Sequence, residues 1–183
     1  MTVTVTKDRV PDVLKAIRDL TNKRVMVGVP AESAERTDSE VTNALIGYVL
    51  ETGAPERNLP ARPFLVPGVE NCQDAVAARL KKAGVSALSG NSGDVTTQLT
   101  ACGLIAVSSV KDKMDTGPFT PLADATLEAR VRRNNGSQVG AAEELASRRA
   151  GNQPGTSLAQ PLIDTGNLQN SITYVIRDNR RRN

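Results

Sequence analysis

The sequence Pro161-Leu-Ile-Asp-Thr-Gly-Asn-Leu-Gln-Asn-Ser-Ile172 decides the fold of this chain, because it joins a tight turn to the start of a strand. Glycine tolerates a positive φ angle, so Gly166 is expected to form the turn, with Asp164 or Thr165 as the capping side chain. Residues 172 to 176 then alternate Ile, Thr, Tyr, Val and Ile. This two-residue period predicts a strand.

Another strand is predicted much earlier in the chain. Val25, Val27 and Val29 share one face over residues 24 to 29, and Pro30 ends the run. If this strand pairs with residues 172 to 176, the fold closes through contacts between segments far apart in sequence. A weaker alternation of Thr and Val at residues 2 to 6 indicates a further strand.

Helices are expected to fill most of the chain between these strands. Apolar residues recur there at helical spacing, and Thr37 with Glu40 has the form of a capping box. The predicted helices cover residues 10–20, 37–53, 69–84, 94–114 and 120–133, with a brief one at 141–149. The sequence therefore predicts a single α+β domain over residues 1–183, with a small, mostly antiparallel sheet packed by several helices.

Four segments are expected to lack regular structure. The prolines at positions 55, 60 and 63 indicate an extended path over residues 54–63, and residues 84–94 read as a Gly/Ser-rich linker. Residues 134–160 are expected to form a long loop insertion, so that deleting residues 136–156 would leave a folded monomer. Residues 177–183 are expected to form a flexible basic tail.

The composition argues against an enzyme. The chain has no histidine, which removes the commonest general base and metal ligand. Cys72 and Cys102 fall in helical patterns and are expected to be buried packing residues. Glu51 and Glu56 are the best pair of carboxylates, and a solvated surface is the expected setting for both. The sequence thus predicts no catalytic group, no metal and no cofactor, and its apolar runs predict neither a signal peptide nor a membrane span.

Three clusters of arginine leave their role open. They could form a solvated face or tail, bind acidic protein neighbours, or contact DNA phosphates non-specifically. Aromatic residues make up only 2% of the chain, which argues against stacking on single-stranded bases. The clusters are Arg130, Arg132 and Arg133; Arg148 and Arg149; and Arg177, Arg180, Arg181 and Arg182.

Several segments, in order, resemble a family of tailed-phage virion proteins of the tail-completion or neck type. The resemblance covers residues 23 to 176, with Thr52 in place of the family's usual Phe and with residues 134–160 longer than the usual link. The matching segments are Val27-Gly-Val-Pro-Ala31, Ile46-Gly-Tyr-Val-Leu-Glu-Thr-Gly53, Leu59-Pro-Ala-Arg-Pro-Phe-Leu65, Phe119-Thr-Pro-Leu122 with Thr126 and Arg130, and residues 161–172.

The resemblance marks a set of residues as determinants of fold or assembly. Prolines should stiffen their segment, Phe64 should anchor it to the core, and Arg62 should point outward or into a carboxylate. The set comprises Gly53, Pro60, Arg62, Pro63, Phe64, Leu65, Asp164, Thr165, Gly166 and Leu168.

The resemblance implies a structural role in the virion. The chain would assemble in the host cytoplasm into a homo-oligomeric ring, with a hexamer as the expected form, at the head-proximal end of the tail. Its partners would be the tail terminator or tail tube protein and the head connector or head-closure protein, with DNA passing through the lumen. The alternatives are a head-closure or connector-adaptor protein of the neck and, in another class, a small basic DNA-binding protein.

Overall fold

A computed structural model describes residues 8–30, 41–133 and 138–178 and has an α+β architecture. Its two strands are β1, Lys23–Gly28, and β2, Thr173–Asp178. The helices of the described ranges are α1 Val10–Asn22, α2 Asn43–Thr52, α3 Leu65–Glu70, α4 Gln73–Leu88, α5 Ser92–Thr116, α6 Asp124–Arg133, α7 Gln138–Arg149 and α8 Asn167–Ser171.

The strands predicted at residues 24–29 and 172–176 are confirmed as β1 and β2, and they pair with each other. Strands β1 and β2 are antiparallel, and their register runs from Lys23 opposite Asp178 to Gly28 opposite Thr173. Val25 lies opposite Ile176, so apolar residues of both strands meet on one face. The residues expected to form a further strand, 2 to 6, lie outside the described ranges.

The chain forms two compact units. Unit 1 contains the described residues up to Gly28, Val69–Ser109, and the described residues from Thr173 onward. Its core lies where α1, α4 and α5 meet, at Ala16, Ala87, Val95 and Leu99. Val25 and Ile176 of the sheet pack against this cluster, so the strand pair covers the helical core.

Unit 2 contains the described residues of Val29–Gly68 and Val110–Ile172. Its buried apolar cluster joins α6, α7 and the segments that flank them, through Leu122, Leu127, Ala141, Leu145 and Ala159. Both units draw on separate stretches of sequence, and α5 contributes residues to each. The single domain expected over residues 1–183 therefore stays a prediction.

Helix α2 begins later than the sequence predicted. Its N-cap is Thr42, whose Oγ1 accepts a hydrogen bond of 3.2 Å from the Leu45 N–H. The predicted start of this helix at Thr37 was therefore wrong, since Val41 and Thr42 precede the helix. Thr37 and Glu40 themselves lie outside the described ranges. Threonine suits an N-cap at either position, so the motif alone did not separate them.

Two of the segments expected to be irregular contain helix. The chain between α4 and α5 is much shorter than the predicted linker, because Gly84 lies inside α4 and α5 begins at Ser92. Pro55–Arg57 forms a single 3₁₀ turn, after which Leu59 pairs back onto Ala54, so the extended path begins only after this turn. Both departures follow from local hydrogen bonds that proline and glycine do not prevent.

The predicted loop over residues 134–160 contains α7, and residues 150–160 form neither helix nor strand. The helix expected at 141–149 is confirmed and begins at Gln138. Ala141 and Leu145 of α7 are buried in the unit 2 core. A deletion of residues 136–156 would remove these core residues, which argues against the expectation that it leaves a folded monomer.

Candidate functional site

Glu51 is a cap for the helix that follows the proline-rich segment. Its Oε2 accepts hydrogen bonds from the N–H groups of Phe64 at 2.7 Å and Leu65 at 2.8 Å, and its Oε1 accepts one from Val66 at 3.0 Å. A carboxylate at this position satisfies N–H groups that have no partner within α3. The solvated setting expected for Glu51 was wrong, whereas Glu56 is exposed.

Arg62 is buried and binds backbone carbonyls. Only 4% of the residue is exposed. Its Nε donates to the Thr120 carbonyl at 3.0 Å, and its Nη2 donates to the Pro121 carbonyl at 3.3 Å. The expectation that Arg62 points outward or into a carboxylate was therefore wrong. Burial lowers the pKa of the Arg62 guanidinium from its ordinary value.

A second buried arginine, Arg130, binds the backbone of residues 160–163. Its Nη1 donates to the carbonyls of Gln160 at 3.0 Å and Ile163 at 2.9 Å, and its Nη2 donates to the Pro161 carbonyl at 3.3 Å. Arg130 is 5% exposed, so the solvated face considered for its cluster does not include it.

Asp164 provides the negative charge beside Arg130. Its Oδ1 lies 3.7 Å from the Arg130 Nε, and its Oδ2 lies 2.8 Å from the Arg133 Nη1. Burial lowers the pKa of Arg130, Asp164 raises it, and the positive charges of Arg133 and Arg62 lower it further. The net direction of the pKa shift is downward, and burial is its largest cause.

The two buried arginines line one cleft in unit 2. Its volume is about 410 Å³, and its walls carry three arginines and a single aspartate beside leucine and proline side chains. The charged lining residues are Arg62, Arg130, Arg133 and Asp164; the apolar ones include Leu50, Leu59, Pro60, Pro121, Leu122 and Pro161. This cleft is the candidate functional site.

The turn at residues 164–166 supports one wall of the site as the sequence predicted. Gly166 has a φ of 77°, which confirms the expected left-handed conformation. The Thr165 Oγ1 accepts a hydrogen bond of 3.4 Å from the Asn167 N–H, so Thr165 is a cap of the turn. Asp164 instead contacts the arginines.

Residues around α2 hold the opposite wall by close packing. Phe64 is 3% exposed, which confirms it as an anchor, and Leu168 is 7% exposed. A Cβ on Gly47 would lie 3.5 Å from the Leu168 Cδ1 and 3.8 Å from the Phe64 Cζ. Gly53 ends α2 with a φ of 76°, and a Cβ there would lie 2.7 Å from the Ala61 nitrogen. The remaining predicted residues lie at the surface or are partly exposed: Pro60, Pro63 and Leu65.

Arg148 was a candidate for DNA or acidic partners, but its side chain is bound within unit 2. The Nε donates to the Glu144 Oε1 at 2.8 Å, and Nη1 donates to the Leu122 carbonyl at 2.8 Å and to the Asp124 Oδ1 at 2.6 Å. Only 11% of the side chain is exposed. Glu144 also accepts a hydrogen bond of 2.8 Å from the Gly155 N–H, which fixes the chain after α7.

Two of the other candidate arginines lie in the described part of the chain. Arg149 and Arg177 are exposed, and they belong to different units. Arg180, Arg181 and Arg182 lie outside the described residues. Cys72 and Cys102 are buried and free, which confirms their packing role.

An apolar surface is formed by α2, away from its packed side, and by Val41, which precedes the helix. Val41, Leu45 and Tyr48 are 45%, 52% and 66% exposed. A groove of about 530 Å³ begins at this surface and is lined mainly by apolar side chains, with Glu56 and Arg57 at its charged end. Large exposed apolar groups of this kind mark contact surfaces more often than isolated ones do.

The sequence reasoning missed Glu51 as a cap, Arg130 as a buried anchor and Glu144 with Arg148 as an internal pair. The spacing of Glu51 before Phe64 carries no local capping pattern, since thirteen positions separate donor and acceptor. For Arg130 and Arg148, clustering with other arginines suggested a surface, and only the fold shows that the clusters divide. Among the described residues, no group of three or more Cys, Asp or Glu could hold a metal ion. In those same ranges, no helix is long and apolar enough to span a membrane.

Comparison of the chain with protein-family models, with curated proteins and with solved structures finds no match.

Proposed function

We propose that this chain is a non-enzymatic structural subunit of a tailed-phage virion, which forms a ring at the head-proximal end of the tail and completes the tail for joining to the head. The observation that carries the proposal is the uncovered apolar surface of α2, with Leu45 and Tyr48 at least half exposed beside a groove. Such a surface suits a permanent contact with another protein chain, because protein interfaces concentrate aromatic and aliphatic anchors.

The arrangement of the resembling segments gives further support. The segment of Arg62 is hydrogen-bonded to the segment of Thr120, and Arg130 is bonded to the segment of Pro161. Segments that carry the resemblance to the tail-completion family therefore contact one another inside unit 2. This agrees with their proposed role as determinants of the subunit's fold.

Ring formation is tested with the purified full-length chain and two surface variants. Sedimentation velocity and negative-stain electron microscopy should detect rings, and Leu45→Ser combined with Tyr48→Ser should yield a folded monomer. The matched control is Leu88→Ser, which changes a residue that is 70% exposed in unit 1 and should leave the rings intact. A monomeric wild-type chain, both alone and with the tail proteins of its phage, contradicts the proposal.

Inactivation of the gene in the phage that carries it separates the remaining alternatives. Tail completion predicts DNA-filled heads beside unattached tails. Heads that lose their DNA would favour the head-closure alternative. A steep dependence of duplex-DNA affinity on salt concentration, measured on the monomer, would favour a DNA-binding protein.

A further inference from the structure

The cleft in unit 2 holds a buried positive charge that the described part of the chain does not neutralise. Arg62 is 4% exposed, yet its hydrogen bonds go to two neutral carbonyls, of Thr120 and Pro121. No ion pair of Arg62 occurs among the described residues, and its Nη1 makes no hydrogen bond there. A buried guanidinium without a counter-ion is costly, so an anion at this position would be strongly favoured.

The neighbouring charges add to this imbalance. Arg130 and Arg133 line the same cleft, and one aspartate, Asp164, lies between them. The charged lining thus has an excess of two positive charges. The guanidinium group of arginine has a planar set of donors that matches a carboxylate, and such charge-assisted bonds are stronger than neutral ones.

We propose that this cleft binds the carboxylate of an acidic side chain from a partner protein, with Arg62, Arg130 and Arg133 as the cations that hold it. The apolar part of the lining, including Leu59 and Pro121, suits the methylene groups of that side chain and an adjacent apolar residue. Binding of a carboxylate in this cleft does not depend on the proposed role in the phage tail.

The test uses the purified full-length chain and two short peptides of sequence Leu-Glu-Leu and Leu-Gln-Leu, both blocked at their ends. Nuclear magnetic resonance follows the Nε–H signal of Arg62 and the backbone N–H signals of Leu122 and Ala123. We expect saturable shifts with the glutamate peptide, much weaker shifts with the glutamine peptide, and competition by acetate. If neither the glutamate peptide nor acetate gives a saturable shift, either with the wild-type chain or after the acidic residues at positions 32, 35, 38 and 40 are replaced by Gln or Asn, the cleft is not a carboxylate site and Arg62 only holds the fold.

The variants are chosen so that folding does not obscure the result. Arg62 and Arg130 hold backbone carbonyls, whereas the Arg133 side chain is 51% exposed. Arg133→Gln should therefore leave the fold intact and weaken peptide binding by roughly five-fold, from the loss of one charge-assisted contact. Arg132→Gln is the matched control, since Arg132 is exposed on the same helix and outside the cleft lining. Equal affinities for these two variants would overturn the proposal.

Two further measurements exclude other sources of the anion. Inorganic phosphate or a short DNA duplex that shifts the same signals at lower concentration than the glutamate peptide would identify a phosphate site and contradict the proposal. The chain also contains acidic residues at positions 32, 35, 38 and 40. If the peptide binds only after these four are replaced by Gln or Asn, the occupant is the chain itself and not a partner.

Discussion

Unit 1 has a core of apolar side chains from three helices and a strand pair, whereas unit 2 combines its apolar cluster with charged side chains that bind the backbone. In unit 1, Ala16, Val95 and Leu99 are buried at the helix contacts. In unit 2, Arg62 and Arg130 together donate hydrogen bonds to five backbone carbonyls, and Glu51 accepts from three backbone N–H groups. Irregular segments have backbone N–H and carbonyl groups without a partner in a helix or sheet. Unit 2 contains more irregular segments than unit 1, and charged side chains bind the backbone groups of these segments.

The largest expected effect follows from removing Arg130, the main charged anchor of unit 2. Arg130→Met keeps an apolar stem, but it leaves three backbone carbonyls without their donor and removes one of the two arginines beside Asp164. We expect the free energy of unfolding to fall by about 3–5 kcal/mol, as for the loss of one partner of a buried ion pair. Urea unfolding followed by circular dichroism measures it, with Arg132→Met as a control that changes it by less than about 0.5 kcal/mol. A small effect of Arg130→Met would remove the distinction between the units.

A substitution that adds a steric clash should destabilise unit 1, where the packing of apolar side chains is the main contribution to stability. A Cβ on Gly103 would overlap the ring of Tyr174 on β2. Gly103→Ala should therefore cost about 1–3 kcal/mol of stability through overpacking. Labelling of the Cys102 thiol should become faster, because Cys102 is a buried residue of the same unit.

Two further variants show whether this cost arises from the Tyr174 contact. The combination with Tyr174→Ala should recover most of the loss, as a double-mutant cycle measures. Gly84→Ala is the matched control, since a Cβ there meets no atom within 4 Å. In a helix interior that change should stabilise by roughly 0.5–1 kcal/mol. Independent, additive effects of Gly103→Ala and Tyr174→Ala would refute the steric explanation.

A smaller effect is expected from the α3 cap in unit 2. Glu51→Gln retains one acceptor but places an amide N–H₂ group against backbone N–H donors. The free energy of unfolding should fall by about 1–2 kcal/mol, which is typical of the loss of a charged capping side chain. Glu56→Gln, an exposed position in the same region, serves as the control in the same urea titration. Equal results for the two glutamates would show that the three hydrogen bonds to Glu51 contribute little.

The smallest expected effect is a pH dependence from Glu144. Burial raises the pKa of its carboxyl group, but the Gly155 N–H and the Arg148 guanidinium lower the pKa by more, so it lies below its ordinary value. The ionised form therefore stabilises the fold above the unfolded-state pKa of about 4.3, and this contribution is lost as the pH falls through the lower folded-state value. The stability difference between wild type and Glu144→Gln should shrink over that acidic range. A difference that stays constant with pH would exclude this linkage.

The sequence predicted the features that depend on periodicity and on special backbone angles. The alternation of side chains along the sequence located both strands, which pair in the structure. The position of Gly166 predicted a turn with positive φ. Helical spacing also predicted α5, in which Leu99 and Val110 are buried. These signals are local, so a single sequence carries them completely.

The bonds that form the candidate site leave no such signal. A carbonyl is present at every residue, so nothing in the sequence identifies Thr120 or Gln160 as the acceptor for a particular arginine. The same side chain, arginine, is buried at position 130 and exposed at position 149. Only the path of the chain determines which arginine reaches a carbonyl, and the same holds for Glu51 and its donors.

The pairing of β1 with β2 also sets an order for folding during protein synthesis. Every residue of unit 2 is translated after β1 and before β2, since Val29–Gly68 and Val110–Ile172 lie between the two strands in sequence. Strand β1 therefore has no partner until all of unit 2 has been synthesised. Unpaired strand edges are prone to pair with other chains, so β1 is exposed to such pairing until Thr173–Asp178 is available.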